Sequence, residues 1–106
     1  MTSLVRGQVV RADVNLDEPK LYLVVSNNTR NRNFEQVIAA RLTTTAKDPR
    51  PTVVELGPGE AFHGRVMCDD LEPIWGDEVR QVVGALSPGA MRAVEDGLLA
   101  ALGIRR

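Results

Sequence analysis

Lys20–Thr45 reads KLYLVVSNNTRNRNFEQVIAARLTTT, and this stretch decides the fold. Its two flanks, KLYLVVSN (20–27) and QVIAARLTTT (36–45), are rich in β-branched and apolar residues and lack Gly and Pro, which marks strands. The joint between them, Asn28 to Glu35, is polar and suits a loop or a short helix. Side chains alternate along a strand. Leu21, Leu23 and Val25 therefore share one face with Ile38, Ala40 and Leu42 across the pair, and this is the expected core face. Lys20, Tyr22, Val24 and Ser26 share the other face with Val37, Ala39, Arg41 and Thr43. A slip of one residue would flip every side chain, so the two core sets must align. In an antiparallel pair, opposed residue numbers then sum to an odd value. A sum of 63 sets Ser26 beside Val37 and Lys20 beside Thr43. Lys20, Tyr22, Arg41 and Thr43 then form one polar patch on the non-core face.

Further strands are expected on either side of this pair. Val5 to Val14 precedes it, Thr52 to Leu56 follows and is stopped by GPG (57–59), and weaker strand patterns cover Arg65 to Asp69 and Val82 to Leu86. The C-terminus is a helix. Ser87 is a good N-cap, Pro88 suits the first helical position and Gly103 ends it. Met91, Val94, Leu98 and Leu102 form an apolar stripe at helical spacing. Short strands followed by one amphipathic helix predict a mainly β fold with α (α+β), a bent barrel-like sheet with a helix against it.

The 106 residues fit a single domain, 1–106. The single Cys68 cannot form an internal disulfide, which fits a reducing compartment. No apolar run approaches the ~18 residues of a membrane span, and MTSLVRGQVV lacks the pattern of a signal peptide. The expected compartment is the cytoplasm. The formal charge is −1, but residues 1–50 carry eight basic side chains against five acids and residues 51–106 five against nine. That asymmetry fits either a polyanion site on the basic half or an ordinary mixed surface.

Cations and a hydroxyl on one patch suit phosphodiester transfer. When an RNA 2′-hydroxyl attacks its own phosphate, charge builds on the non-bridging oxygens, and donors aimed there stabilise it. A proton leaves the 2′-hydroxyl and another reaches the departing 5′-oxygen. One His, one Cys and scattered acids offer no metal-ligand spacing, so no metal or cofactor is expected. The patch equally reads as solvated strand charges beside threonines that favour strands.

Several segments in order resemble the MazF/PemK family of type II toxins. RGQVVRADV is similar to its opening strand, LYLVVSNNTRNR to its second and AARLTTT to its third. PTVVEL and RVMCDDLEPI follow, and GALSPGAMRAVEDGLLAALGI is similar to its C-terminal helix. The resemblance runs from Arg6 to Ile104. It implies a small SH3-like β-barrel with a C-terminal helix, and a homodimer whose groove takes single-stranded RNA. It implies sequence-specific cleavage leaving a 2′,3′-cyclic phosphate and a 5′-hydroxyl, and a MazE-like cognate antitoxin that fills the groove with its C-terminal tail.

The family's catalytic pair, an arginine opening the second strand and a threonine or serine in the third, carries over to Lys20 and Thr43. Thr44 stands next to Thr43 as support. Lys20 lacks the planar fork of arginine, and Arg41, where many members have an apolar residue or Pro, can restore a guanidinium from the adjacent strand. Asp70 occupies a position that is often Gln or Asn. It can accept from cytosine N4 or guanine N–H groups, or cap a turn. Asn27, Asn28, Arg30, Asn31 and Arg32 form a polar and basic run that, with Lys47, offers candidate RNA contacts, and the Asn-rich run reads equally as a helix start.

His63 lies in the Gly-flanked GPGEAFHGR and reads as an exposed loop residue. Cys68, flanked by acids, reads as a buried structural thiol. Trp75 suits a dimer seam or a base stack. Two other classes remain open: a CcdB-like toxin that binds gyrase, and a non-catalytic SH3-like binding module.

Overall fold

The computed structural model describes residues 2–16 and 18–105. Its elements in chain order are β1 (Gln8–Ala12), β2 (Lys20–Val24), α1 (Asn28–Asn33), β3 (Gln36–Thr43), β4 (Val53–Glu55), β5 (Arg65–Trp75), β6 (Val79–Ala85) and α2 (Pro88–Leu102). The six strands form one antiparallel sheet in the order β4-β5-β3-β2-β1-β6, open at β4 and β6. The mainly β architecture with a C-terminal helix is the one expected.

The central register is also the one expected. Tyr22 opposes Arg41, Leu23 opposes Ala40 and Val24 opposes Ala39. The expectation of a single core face fails. Leu23, Val25, Ala40 and Leu42 pack with Val9, Val54, Val66, Cys68 and Val94 in one core. Tyr22, Val24, Val37 and Ala39 pack with Val10, Ala12 and Ile74 in a second. Tyr22 is only 3% exposed, so it belongs to this second core and not to an open polar patch.

β5 is longer than the expected Arg65 to Asp69 and contributes to both cores. Its far half pairs Leu71 with Ala40, its near half pairs Met67 with Arg41, and Cys68, Asp69 and Asp70 have no partner on β3. An irregularity of this kind bends a strand and raises its twist. Here the near half of β5 supplies Val66 and Cys68 to the first core and its far half supplies Ile74 to the second.

α2 is built as the caps predict. The Ser87 hydroxyl accepts from the Ala90 N–H at 3.1 Å and donates to Glu60 at 2.6 Å. Gly103 closes the helix in the left-handed conformation, φ 70°. Val94 is fully buried, but Leu102 is 63% exposed, so the apolar stripe touches the sheet only through its first three members. Gly97 packs directly over Cys68 and Val54, with no room for a Cβ.

α1 resolves the choice left open for Asn28 to Glu35. The Asn27 side chain caps it by accepting from the Arg30 N–H at 2.8 Å. Asn31 is fully buried and pinned to β2. Its amide donates to the Ser26 carbonyl at 3.0 Å, and the Ser26 hydroxyl donates to its Oδ1. The same Ser26 hydroxyl oxygen accepts from the Ile38 N–H at 2.9 Å, which locks the entry of β3 against the exit of β2.

Candidate functional site

The opening end of β2 and the closing end of β3 meet in three adjoining clefts that all include Arg41. The first, about 160 Å³, is lined by Lys20, Tyr22, Arg41 and Glu72, with Asn15 and Glu18 from the β1–β2 connection at its rim. The second, about 300 Å³, brings Lys20 together with Arg41, Thr43, Thr44 and Phe62. The third, about 160 Å³, joins Arg41 and Thr43 to Lys47, Met67 and Asp70.

Thr43 is oriented by its own strand end. Its hydroxyl oxygen accepts from the Thr45 N–H at 3.1 Å, which leaves the hydroxyl proton free to donate outward. The turn around it depends on Gly64, where a Cβ would lie 2.4 Å from the Thr43 carbonyl oxygen. Arg65 ties down the next residue, donating to the Thr44 carbonyl at 3.2 Å while it pairs with Glu55 at 2.8 Å.

Arg41 is held from the inside. Its guanidinium carbon lies 6.0 Å from the centre of the Tyr22 ring, and its Nε is shielded from solvent without a hydrogen-bond partner among the described residues. A cation over a ring face is attracted by the ring quadrupole. Burial and the hydrogen bond to Glu72 push the Tyr22 phenol from its ordinary 10.0 up to about 12, so it stays protonated at neutral pH. The site thus mixes three cations (Lys20, Arg41, Lys47) with three carboxylates (Glu18, Asp70, Glu72).

The structure therefore gathers Lys20, Arg41, Thr43, Thr44, Lys47 and Asp70. Asn27, Asn28, Arg30 and Arg32 lie beyond the other end of β2, a strand length of about 20 Å from Lys20. Their side chains are engaged there. Asn28 accepts from the Arg6 N–H at 2.8 Å, Arg30 donates to the Gln36 carbonyl at 2.9 Å, and Arg32 donates to Thr29 at 3.3 Å. Asn28 and Arg32 also line a separate cleft of about 310 Å³ with Thr2, Ser3, Leu4 and Val5.

Sequence reading did not single out Glu72, Met67, Gly64 and Asn15 as site residues. For Glu72 and Met67 the strand alternation that would have placed them is broken by the unpaired residues of β5. His63 is exposed, and Cys68 is buried with its thiol pushed up to about 11 by burial and by Asp69. Among the described residues no three of His, Cys, Asp and Glu gather as a metal site, and no helix is long and apolar enough to cross a membrane.

The family described as "PemK-like, MazF-like toxin of type II toxin-antitoxin system" matches residues 5–102. The chain belongs to the PemK/MazF toxin family. A relative named Endoribonuclease MazF4, from Mycobacterium tuberculosis, is 39% identical over 104 residues, covering 98% of this chain and 97% of its own length. A solved mycobacterial endoribonuclease in complex with its cognate antitoxin superposes with a TM-score of 0.91 at 38% identity, covering 98% of this chain and 99% of that one. A MazE-MazF crystal structure from Deinococcus radiodurans shares the fold with a TM-score of 0.81 at 20% identity, over 96% of this chain and 97% of that one. The catalytic pair that the PemK/MazF resemblance implies falls, in this chain, on two residues of the same cleft, Lys20 and Thr43.

Proposed function

We propose that the chain is a cytoplasmic, single-domain endoribonuclease toxin. It cleaves single-stranded RNA at specific sequences by attack of the 2′-hydroxyl, without a metal, leaving 2′,3′-cyclic phosphate and 5′-hydroxyl ends. The observation that carries this reading is the cleft shared by Lys20, Arg41 and Thr43, with the Thr43 hydroxyl oxygen already accepting from the Thr45 N–H and so able to donate its own proton to a ligand.

In this mechanism Thr43 donates to a non-bridging oxygen of the scissile phosphate. Arg41 supplies the guanidinium that Lys20 lacks and offsets the charge building on the phosphate. Lys20 either protonates the leaving 5′-oxygen or holds the phosphate as a cation. Thr44 supports the turn that carries Thr43. Lys47 and Asp70 touch the neighbouring nucleotide, and Asn28 and Arg32 take one further along the strand. Asn27 and Arg30 hold α1 in place for that contact. The chain works as a homodimer, with the β5 segment Arg65–Trp75 contributing to the seam. Trp75, half-exposed at the end of β5, supports that placement. A cognate antitoxin inhibits the dimer by laying an extended tail along the same clefts.

The test is cleavage of single-stranded RNA by purified protein in excess EDTA, with gyrase absent and the mass in solution measured alongside. Lys20→Ala and Thr43→Ala should each lose about a hundredfold or more in rate, the usual cost of one transition-state donor. Circular dichroism should be unchanged, since neither side chain enters a core. Lys20→Arg separates the two roles of Lys20: a cation role tolerates arginine, and a proton-donor role does not. Full activity in both alanine variants refutes this site. Metal-dependent cleavage refutes the metal-free mechanism, and a monomer refutes the dimer.

A further inference from the structure

The third cleft holds a carboxylate where an RNA strand would pass. Asp70 stands in the part of β5 that has no partner on β3, beside Met67, Lys47, Arg41 and Thr43. Its neighbour Asp69 is used locally, accepting from the Thr52 hydroxyl at 3.1 Å. Asp70 is exposed and takes part in no hydrogen bond or ion pair among the described residues. A free carboxylate close to phosphates is repulsive unless it accepts donors from the ligand. Here Lys47 and Arg41 line the same cleft and offset that repulsion, and the Met67 thioether offers a polarisable surface for a ring face.

We infer that this cleft is a base subsite adjacent to the scissile phosphate, that it takes guanine, and that Asp70 is its specificity-determining residue. The inference rests on the endoribonuclease reading above. An ionised carboxylate presents two acceptors and no donor. Guanine alone among the four bases carries two adjacent N–H donors, N1–H and N2–H, on its pairing edge, and so matches both oxygens at once. Cytosine and adenine each set a ring-nitrogen acceptor beside a single amino donor, and that acceptor would face the carboxylate. Uracil flanks its one N–H with two carbonyls. Thr43 lines both this cleft and the one that holds Lys20, which puts the base next to the phosphate being cut.

The experiment maps cut sites of the wild type and of Asp70→Asn on a randomised single-stranded RNA, then compares defined substrates carrying guanosine or inosine at the preferred position. The wild type should favour guanosine there by about tenfold to a hundredfold, the discrimination of a bidentate base contact. Inosine, which lacks the N2 amine, should lose much of that preference. Asp70→Asn should move the preference towards adenosine and cytidine, because an amide accepts from their exocyclic N–H and donates to the adjacent ring nitrogen. A merely structural role for Asp70 would lower cutting at every sequence alike. Cutting by the wild type with no guanine preference near the bond overturns this inference alone, as does a guanine preference that Asp70→Asn retains. Failure to cut any RNA overturns the nuclease reading and this inference with it.

Discussion

Gly97 tests how tightly α2 is seated. A Cβ built there lies 2.7 Å from the Cys68 sulfur and 3.0 Å from a Val54 methyl. Ordinary carbon contacts sit near 3.5–4.0 Å, so Gly97→Ala overlaps by roughly 1 Å. Cys68 cannot swing away, because it is fully buried with its sulfur 3.7 Å from the Val94 carbonyl. The helix or β5 must shift, and overpacking of this kind costs about 1–3 kcal/mol. Against it stands the better helix propensity of alanine, about 1 kcal/mol. Steric overlap is at least as large as the propensity gain, and the expected net loss is about 0–2 kcal/mol. Urea unfolding should show a lower midpoint with an unchanged slope.

Cys68→Ala removes the sulfur that the new methyl meets. In that background Gly97→Ala should be close to neutral or slightly stabilising, giving a coupling of about 2 kcal/mol between the two positions. A Gly97→Ala substitution that stabilises the wild type would refute the argument. Equal costs in both backgrounds would refute it too, by showing that the Cys68 contact is not what sets the cost.

Asn31→Ala should cost about 2–4 kcal/mol, since it strips the buried Ser26 hydroxyl and carbonyl of their partners; thermal unfolding within experimental error of the wild type would mean that water replaces Asn31. Tyr22 is the single tyrosine, so its phenolate absorbance reports one site, and it should ionise near pH 12, not 10. Its folded pKa is raised, so its contribution to stability is complete below pH 10 and is lost as pH climbs towards 12. Tyr22→Phe should remove that segment of the pH–stability curve, and an identical alkaline slope in the two proteins would contradict the burial and the Glu72 contact.

How much of this was legible in the sequence depends on where alternation stays regular. In β2 and β3 every residue obeys the period of two, and a single aligned register follows. The helix α2 was legible because Ser87, Pro88 and Gly103 each do a local job that their chemistry predicts. β5 was not legible past Asp69. Two acids and Pro73 interrupt its pattern, and the bend that accommodates them is a tertiary event with no period to detect. The second face of β2 is covered by residues of other strands, Val10, Ala12, Val37, Ala39 and Ile74, so Tyr22 and Val24 could not be seen as core from their own strand. Asn31 misled in the opposite direction. It stands in a polar run that reads as surface, and its burial follows only from the hydroxyl of Ser26 waiting beneath it.

In the proposed mechanism Arg41 compensates for the departure at Lys20. An arginine opening β2 would present a planar fork to the phosphate, and lysine presents a single point charge. The fork is available one strand away. Arg41 opposes Tyr22 in the ladder, two residues along β3 from Thr43, and it lines every cleft that Lys20 or Thr43 lines. Tyr22 fills the second core from beneath it, so the ring facing Arg41 is held in place by packing. A guanidinium on such a support loses little freedom when an anion arrives. In this arrangement cationic charge is divided between two strands, and the position of Arg41 depends on the same core that sets the register of the sheet.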